Sequence, residues 1–118
     1  MLIPIYQIIK MNRSLETLIS QQTLYNINIA YKIHKIKKEL DEIEQYTFDR
    51  LTLICPNFDL KNHNEEELLI YNTILNSQIE VDLPTITEEE LLSSDEIKLS
   101  IEDIENILNI FEEKKQIK

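Results

Sequence analysis

Two runs of three glutamates are the residues of this chain whose type and spacing first suggest chemistry. Glu65–Glu67 and Glu88–Glu90 could supply paired carboxylates for acid–base catalysis or for holding a metal ion. Each run directly follows a residue that commonly caps helices, Asn64 in one case and Thr87 in the other. In a capping box the cap side chain accepts a hydrogen bond from the backbone amide of the third glutamate. The carboxylate of that glutamate accepts a hydrogen bond from the backbone amide of the cap residue in return. We therefore interpret both runs as first turns of helices, where the helix dipole also favours negative charge.

The two histidines and the single cysteine do not form a recognisable metal-binding or nucleophilic motif. His34 lies among lysines in the middle of a predicted helix, and His63 lies in a predicted loop. Neither has a histidine or cysteine partner at the spacing that zinc ligands usually show. Cys55 precedes Pro56 at the predicted end of a helix, where the helix dipole disfavours a thiolate. We expect no catalytic residue, no metal site and no cofactor.

One basic cluster could contact an anion or a nucleic acid: Lys32, Lys35, Lys37 and Lys38. The cluster contains no arginine and is followed directly by acidic residues, which makes a weak footprint for nucleic acid. Ion pairs within the helix, or pairing with the acidic half of another molecule, account for it better.

The absence of glycine excludes several classes of enzyme. Phosphate-binding loops, dinucleotide-binding turns and the elbow of a nucleophilic serine all depend on the backbone freedom of glycine. We expect a protein that is not an enzyme.

The net charge of −10 is unevenly distributed, with +1 over residues 1–61 and −11 over residues 62–118. Such a chain repels phosphate backbones, so direct binding of nucleic acid is not expected. The acidic half is either a solvated surface or a face that meets a basic partner. No apolar run approaches the roughly 20 residues that cross a bilayer, so no membrane contact is expected.

These residues are positioned by a fold that we predict to be mainly helical. Apolar spacing predicts helices over about 7–21, 28–54 and 64–76, a short helix from Thr87 and a last helix from Ser100. The helix over 28–54 has the clearest periodicity. It carries a seam of apolar residues with the a/d spacing of a helix packed lengthwise on another: Ile29, Ile33, Ile36, Leu40 and Ile43.

The seam has two interpretations. It packs on the first and last helices within one subunit, or it also extends to a helix of a symmetric partner. Beyond Ile43 we expect the buried stripe to shift around the helix to a second apolar set, Tyr46, Phe48, Leu51, Ile54 and Cys55.

Residues 78–83 alternate polar and apolar side chains, which predicts a half-buried strand. The other extended candidate is residues 2–5, so we predict that these two segments pair. The expected fold is a single mainly α domain over residues 1–118, with about four helices around one long central helix and a small two-stranded ribbon.

Three stretches together carry a resemblance to a known group of proteins. Residues 8–51 join a short helix to a long Lys/Glu-rich one, Leu68–Leu83 form a helix followed by an alternating strand, and Ile86–Leu91 precede Leu99–Ile104. In this order and residue class the chain resembles small, largely uncharacterised tailed-phage proteins. The resemblance contains no catalytic motif. It implies a viral origin and a location in the host cytoplasm or in the virion.

We therefore expect a non-catalytic protein that acts through protein–protein contacts, as a self-associating structural or assembly component. The expected interaction residues are the five seam residues and an acidic set: Glu88, Glu89, Glu90, Glu102 and Asp103. One alternative is an acidic inhibitor of a host defence or nucleic-acid-binding protein that mimics phosphate. Another is a small-ligand binder, formed between subunits, that uses the lysine cluster for an anion.

Overall fold

The computed structural model describes residues 2–21, 25–93 and 99–116, the last eight by their backbone alone. Its elements, in chain order, are β1 (Leu2–Pro4), α1 (Ile5–Ser20), α2 (Ile27–Ile54), α3 (Glu65–Asn76), β2 (Gln78–Glu80), α4 (Glu88–Leu91) and α5 (Ile101–Gln116). The predicted mainly α class with one long helix and a small ribbon is confirmed. The described residues form five helices, because the single-turn α4 is a separate element. Among the described helices, none is both long and apolar enough to cross a membrane.

The helix with the most neighbours is α1, which packs against α2, α3, α5 and β1. Its apolar residues recur every three or four positions and are almost fully buried: Ile8, Met11 and Leu15 are 0% exposed and Leu18 is 1% exposed. The sequence instead predicts that the longer α2 is the central helix on which the others pack. The physical reason for the difference is that α2 carries ten charged residues, most of them exposed to water, whereas α1 carries three and can pack against more elements.

The seam of α2 packs inside the subunit. All five seam residues are buried in one core together with the apolar face of α1. This core also contains Leu83, Ile86, Leu91 and Ile107 from the second half of the chain. The seam therefore packs within the subunit, mainly against α1, whereas the last helix, α5, packs mainly on α1 rather than on the seam.

The seam continues one step further than its apolar residues indicate. Thr47 is buried, and its hydroxyl donates a hydrogen bond of 2.8 Å to the carbonyl oxygen of Ile43 in the same helix. The predicted shift of the buried stripe is wrong for Tyr46, Phe48 and Ile54, whose side chains are exposed. Because the Thr47 hydroxyl is hydrogen-bonded within its own helix, this residue can occupy a buried position at which the seam spacing predicts an apolar residue.

The predicted ribbon is confirmed. β1 and β2 are antiparallel, with Leu2 opposite Glu80, Ile3 opposite Ile79 and Pro4 opposite Gln78. It is shorter than predicted, because α1 begins at Ile5 and leaves only three residues for pairing. Past the strand, Val81 and Leu83 still enter the core.

Both predicted capping boxes are present. The Asn64 side chain accepts from the amide of Glu67 at 2.8 Å, and the Asn64 amide donates to the Glu67 carboxylate at 3.1 Å. Thr87 and Glu90 make the equivalent pair of bonds at the start of α4. The third glutamate of each run is therefore engaged in capping the start of a helix, as expected.

The segment around α4 is fixed to the beginning of α2. Ile86 and Leu91 are buried, and the hydroxyl of Tyr25 donates a hydrogen bond of 2.5 Å to the carbonyl oxygen of Leu91. Partial burial raises the pKa of Tyr25 to about 12, so this phenol remains a donor at every physiological pH.

Candidate protein interface

An apolar groove lies where α1, the second half of α2, the following loop and α3 meet. Its volume is about 300 Å³. We name its main lining side chains the distal surface: Phe48 and Leu51 of α2, Phe58 and Leu60 of the loop, and Tyr71 and Leu75 of α3. Arg13 and Glu44 lie at its edge.

The loop that carries part of this surface is shaped by Pro56. Proline cannot continue a helix, and α2 ends at Ile54, with the amide of Cys55 closing the last turn onto the Leu51 carbonyl at 2.7 Å. A tight turn follows, in which the amide of Phe58 donates to the Cys55 carbonyl at 3.1 Å. The Asp59 side chain then accepts from the amide of Lys61 at 2.9 Å. These bonds turn the chain back beside α3 without a glycine.

Three stacked rings fasten the loop to α3. The ring of Phe58 lies 4.9 Å from that of Tyr71, with 19° between the ring planes, and 5.6 Å from that of His63. Offset stacking of this kind adds about 1 kcal/mol to the burial of the rings. The Nδ1 atom of His63 lies 3.0 Å from the Asp59 carbonyl oxygen, so this histidine has a structural partner.

The distal surface is open to solvent. Phe48 is 64% exposed and Leu60 is 60% exposed, and no side chain of α3, all of which is described, is buried. Other large apolar residues, such as Leu53 and Leu69, are also exposed but lie outside the groove. Scattered single residues of that kind are normal on a protein surface, whereas a contiguous patch with aromatic residues is typical of a contact site.

A polar network joins α1 to α2 at the edge of the groove. The side chain of Asn12 is fully buried and donates from Nδ2 to Asp41 Oδ1 at 3.1 Å and to Glu44 Oε2 at 2.8 Å. Arg13 forms ion pairs with Glu16 and with Glu44. The network fixes the angle between the two helices and therefore the shape of the groove.

The three carboxylates of this network are close enough to suggest a cation site. Oxygen atoms of Glu16, Asp41 and Glu44 lie within 4.8 Å of one another. Each of them already contacts Arg13 or Lys37, and Lys37 bridges Glu16 and Asp41. The hydrogen bond from Lys37, with that from Asn12, holds the pKa of Asp41 below its usual range. An interhelical ion-pair network accounts for all three groups.

The acidic residues predicted to interact with a partner divide into two groups. Glu90 forms an ion pair with Lys32 at 2.8 Å, and Asp103 is partly buried and accepts from the Ser14 hydroxyl at 2.9 Å. Glu88, Glu89 and Glu102 are exposed. The structure does not bring this acidic set to the groove, because Glu90 lies beside Lys32 near the opposite end of α2.

The lysine cluster is partly engaged. Lys32 and Lys37 hold carboxylates, and the Nζ atom of Lys35 lies 5.2 Å from the centre of the Tyr31 ring. Lys35 and Lys38 line one surface depression together. The carboxylates of Glu39, Glu42 and Asp82 line the same depression. An anion would meet these carboxylates there.

Sequence reasoning missed the distal surface as a site, although it identified Phe48 and Leu51 as apolar. One signal could have found it. α2 has 28 residues and α1 has 16, which correspond to lengths of about 42 Å and 24 Å. α1 cannot cover the whole of α2, so apolar residues on the last turns of α2 need another cover, and the short α3 covers them only in part.

Comparisons of this chain with protein-family models, with curated proteins and with solved structures gave no match. The resemblance to tailed-phage proteins therefore stays a prediction from the order of elements.

Proposed function

We propose that this chain acts without catalysis, by binding a protein through the distal surface. The observation that supports this proposal is the exposed groove, in which three aromatic rings and several aliphatic side chains surround a volume of about 300 Å³. Covering apolar surface contributes about 25 cal/mol for each Å² removed from water. Aromatic side chains near the centre of such a patch often carry most of the binding free energy.

The rigidity of the groove also favours binding. The ring stack holds the loop against α3, and the Asn12 network fixes α1 against α2. A preformed surface loses little conformational entropy when a partner docks. A groove with these properties suits a helix or an apolar segment of another chain.

Photo-cross-linking in the cell that makes the protein tests this proposal. Benzoylphenylalanine would replace Phe48 in one variant and Leu53 in a matched control, since both positions are exposed on α2 but only Phe48 lines the groove. We expect a protein adduct from position 48 and little from position 53. Equal labelling from both positions, or no protein adduct from position 48, would contradict a specific protein contact.

The alternative of an acidic inhibitor that mimics phosphate has less support. Of its five acidic residues, Glu90 and Asp103 already have partners within the chain. The viral origin, and a location in the virion or host cytoplasm, remain predictions from the resemblance.

A further inference from the structure

We infer that the partner on the distal surface is a second copy of this chain, related to the first by a two-fold axis. This inference rests on the proposed function, since it names the occupant of the same groove. In a two-fold contact the same patch is used twice, so each apolar residue of the distal surface is buried in both subunits.

The exposed area of the chain supports a missing partner. Its accessible surface is 8221 Å², whereas a compact monomer of this mass exposes about 6,700 Å². The excess, about 1,500 Å², exceeds the roughly 800 Å² that each partner buries in an interface of standard size. A stable dimer would thus remove surface that a monomer of this size does not usually leave open.

The shape of the chain agrees with this. The radius of gyration is 15.9 Å, compared with about 13.5 Å for a compact domain of this length. The molecule measures 46 × 34 × 23 Å, and α2 has 28 residues compared with 16 in α1. Pairing at the groove would cover Phe48, which α1 and α3 leave 64% exposed.

The placement of charge decides between a second copy and a strongly basic partner. Among the described residues that line the groove, only Arg13 and Glu44 are charged, and they form an ion pair. The acidic turn of α4 lies beside Lys32, about 24 Å along α2 from Phe48. Within each copy the acidic turn therefore lies well beyond the screening distance of about 8 Å from the groove at physiological salt.

Exposed residues close in sequence to those that line the groove carry both signs of charge. Arg50 and Lys61 are exposed, as are Asp49, Asp59 and Glu65. A two-fold axis can place the basic groups of one copy against the acidic groups of the other.

Sedimentation equilibrium of the full chain over a wide concentration range tests the inference. We expect the mass to rise from 14.1 kDa to twice that value. Phe48→Lys and Leu60→Lys should each weaken the dimer about 100-fold or more, because two copies of an exposed apolar side chain are lost. Both changes reduce the net negative charge, so weaker association could not be attributed to a larger overall charge on each chain.

Leu53→Lys is the matched control, with the same substitution on the same helix outside the groove, and it should leave the dimer intact. The dimer should persist or tighten at about 1 M salt, because apolar burial is not screened. Circular dichroism would verify that each variant keeps its helices.

Three results would overturn the inference: a mass of 14.1 kDa at every concentration, a dimer indifferent to Phe48→Lys and Leu60→Lys, or growth into open-ended assemblies. A monomer that still gives an adduct to another protein from position 48 would overturn the second copy alone. A monomer without any adduct would also contradict the proposed function.

Discussion

The hydroxyl of Ser14 in α1 donates a hydrogen bond of 2.9 Å to the carboxylate of Asp103 in α5, across 89 positions of the sequence. Ser14 also accepts a hydrogen bond of 3.2 Å from the side-chain amide of Asn106. Its own side chain is almost fully buried. This small residue thus joins the last helix to the helix around which the rest of the chain packs.

Ser14→Ala should lower the free energy of unfolding by about 1–2 kcal/mol, because it leaves Asp103 and Asn106 without a partner in a half-buried place. Urea unfolding measures the change. Ser20→Ala is the matched control, since Ser20 is exposed on the same helix and bonds only to the carbonyl of Thr17 among the contacts described. Equal losses in the two variants would show that the link to α5 does not stabilise the fold.

Asn12→Asp should be more destabilising than Asn12→Leu. The new carboxylate would be buried within hydrogen-bond distance of Asp41 and Glu44, and it would replace a donor by a like charge. We expect a loss of about 3 kcal/mol or more for the aspartate at neutral pH. The loss should shrink as the pH falls and the carboxylates take up protons.

Asn72→Asp, at an exposed position of α3, provides the control for the same chemical change. Unfolding midpoints between neutral and acidic pH would distinguish the variants. An Asn12→Asp protein as stable as the control would mean that the network does not face Asn12.

The ion pair between Lys32 and Glu90 makes part of the stability depend on pH. The hydrogen bond from Lys32 lowers the pKa of Glu90 below its unfolded value of 4.5. The folded state therefore releases this proton more readily, and the stabilisation is complete above pH 4.5 and is lost as the pH falls through the lower folded pKa.

Glu90→Gln tests this, since it keeps an oxygen for the capping box and removes the charge. We expect it to lower the free energy of unfolding by about 0.5–1 kcal/mol at neutral pH, and this difference should disappear in acid. Glu88→Gln removes a charge from the same turn without touching the ion pair. A difference for Glu90→Gln that grows toward low pH would contradict the assignment.

Leu40→Ala should reveal that the seam belongs to the subunit core. Leu40 is 0% exposed, and its truncation should cost about 2–5 kcal/mol. Leu53→Ala, at an exposed position of the same helix, should change stability by no more than about 0.5 kcal/mol. The loss at Leu40 should be the same in dilute samples, where the chain is monomeric. A loss seen only in concentrated samples would place the seam between subunits.

Local patterns predicted the parts of the fold that depend on local physics. The first residues of α3 and α4 follow from their capping boxes. The pairing of β1 with β2 follows because the sequence offers only two candidate extended segments. The burial of the seam follows from its spacing. In these cases the types and spacing of residues close together in the sequence are enough to predict the structure.

The remaining features depend on which elements meet in space. Asn12 and Ser14 are polar, so their burial on α1 is visible only when α2 and α5 supply partners. Phe48 and Leu51 are both apolar, but only the position of α3 decides that Phe48 stays exposed while Leu51 is half-buried. The groove could not be predicted from the sequence for the same reason.

The oxidation of Phe48 by hydroxyl radicals tests most directly whether the distal surface is a contact surface. Phe48 is 64% exposed, while Met11, a far more reactive residue type, is 0% exposed and provides an internal control. In the dilute purified chain we expect rapid oxidation of Phe48 and protection of Met11. In the cell that makes the protein, Phe48 should be protected several-fold, because another chain covers it. Oxidation of Phe48 at the same rate in both settings would contradict the account.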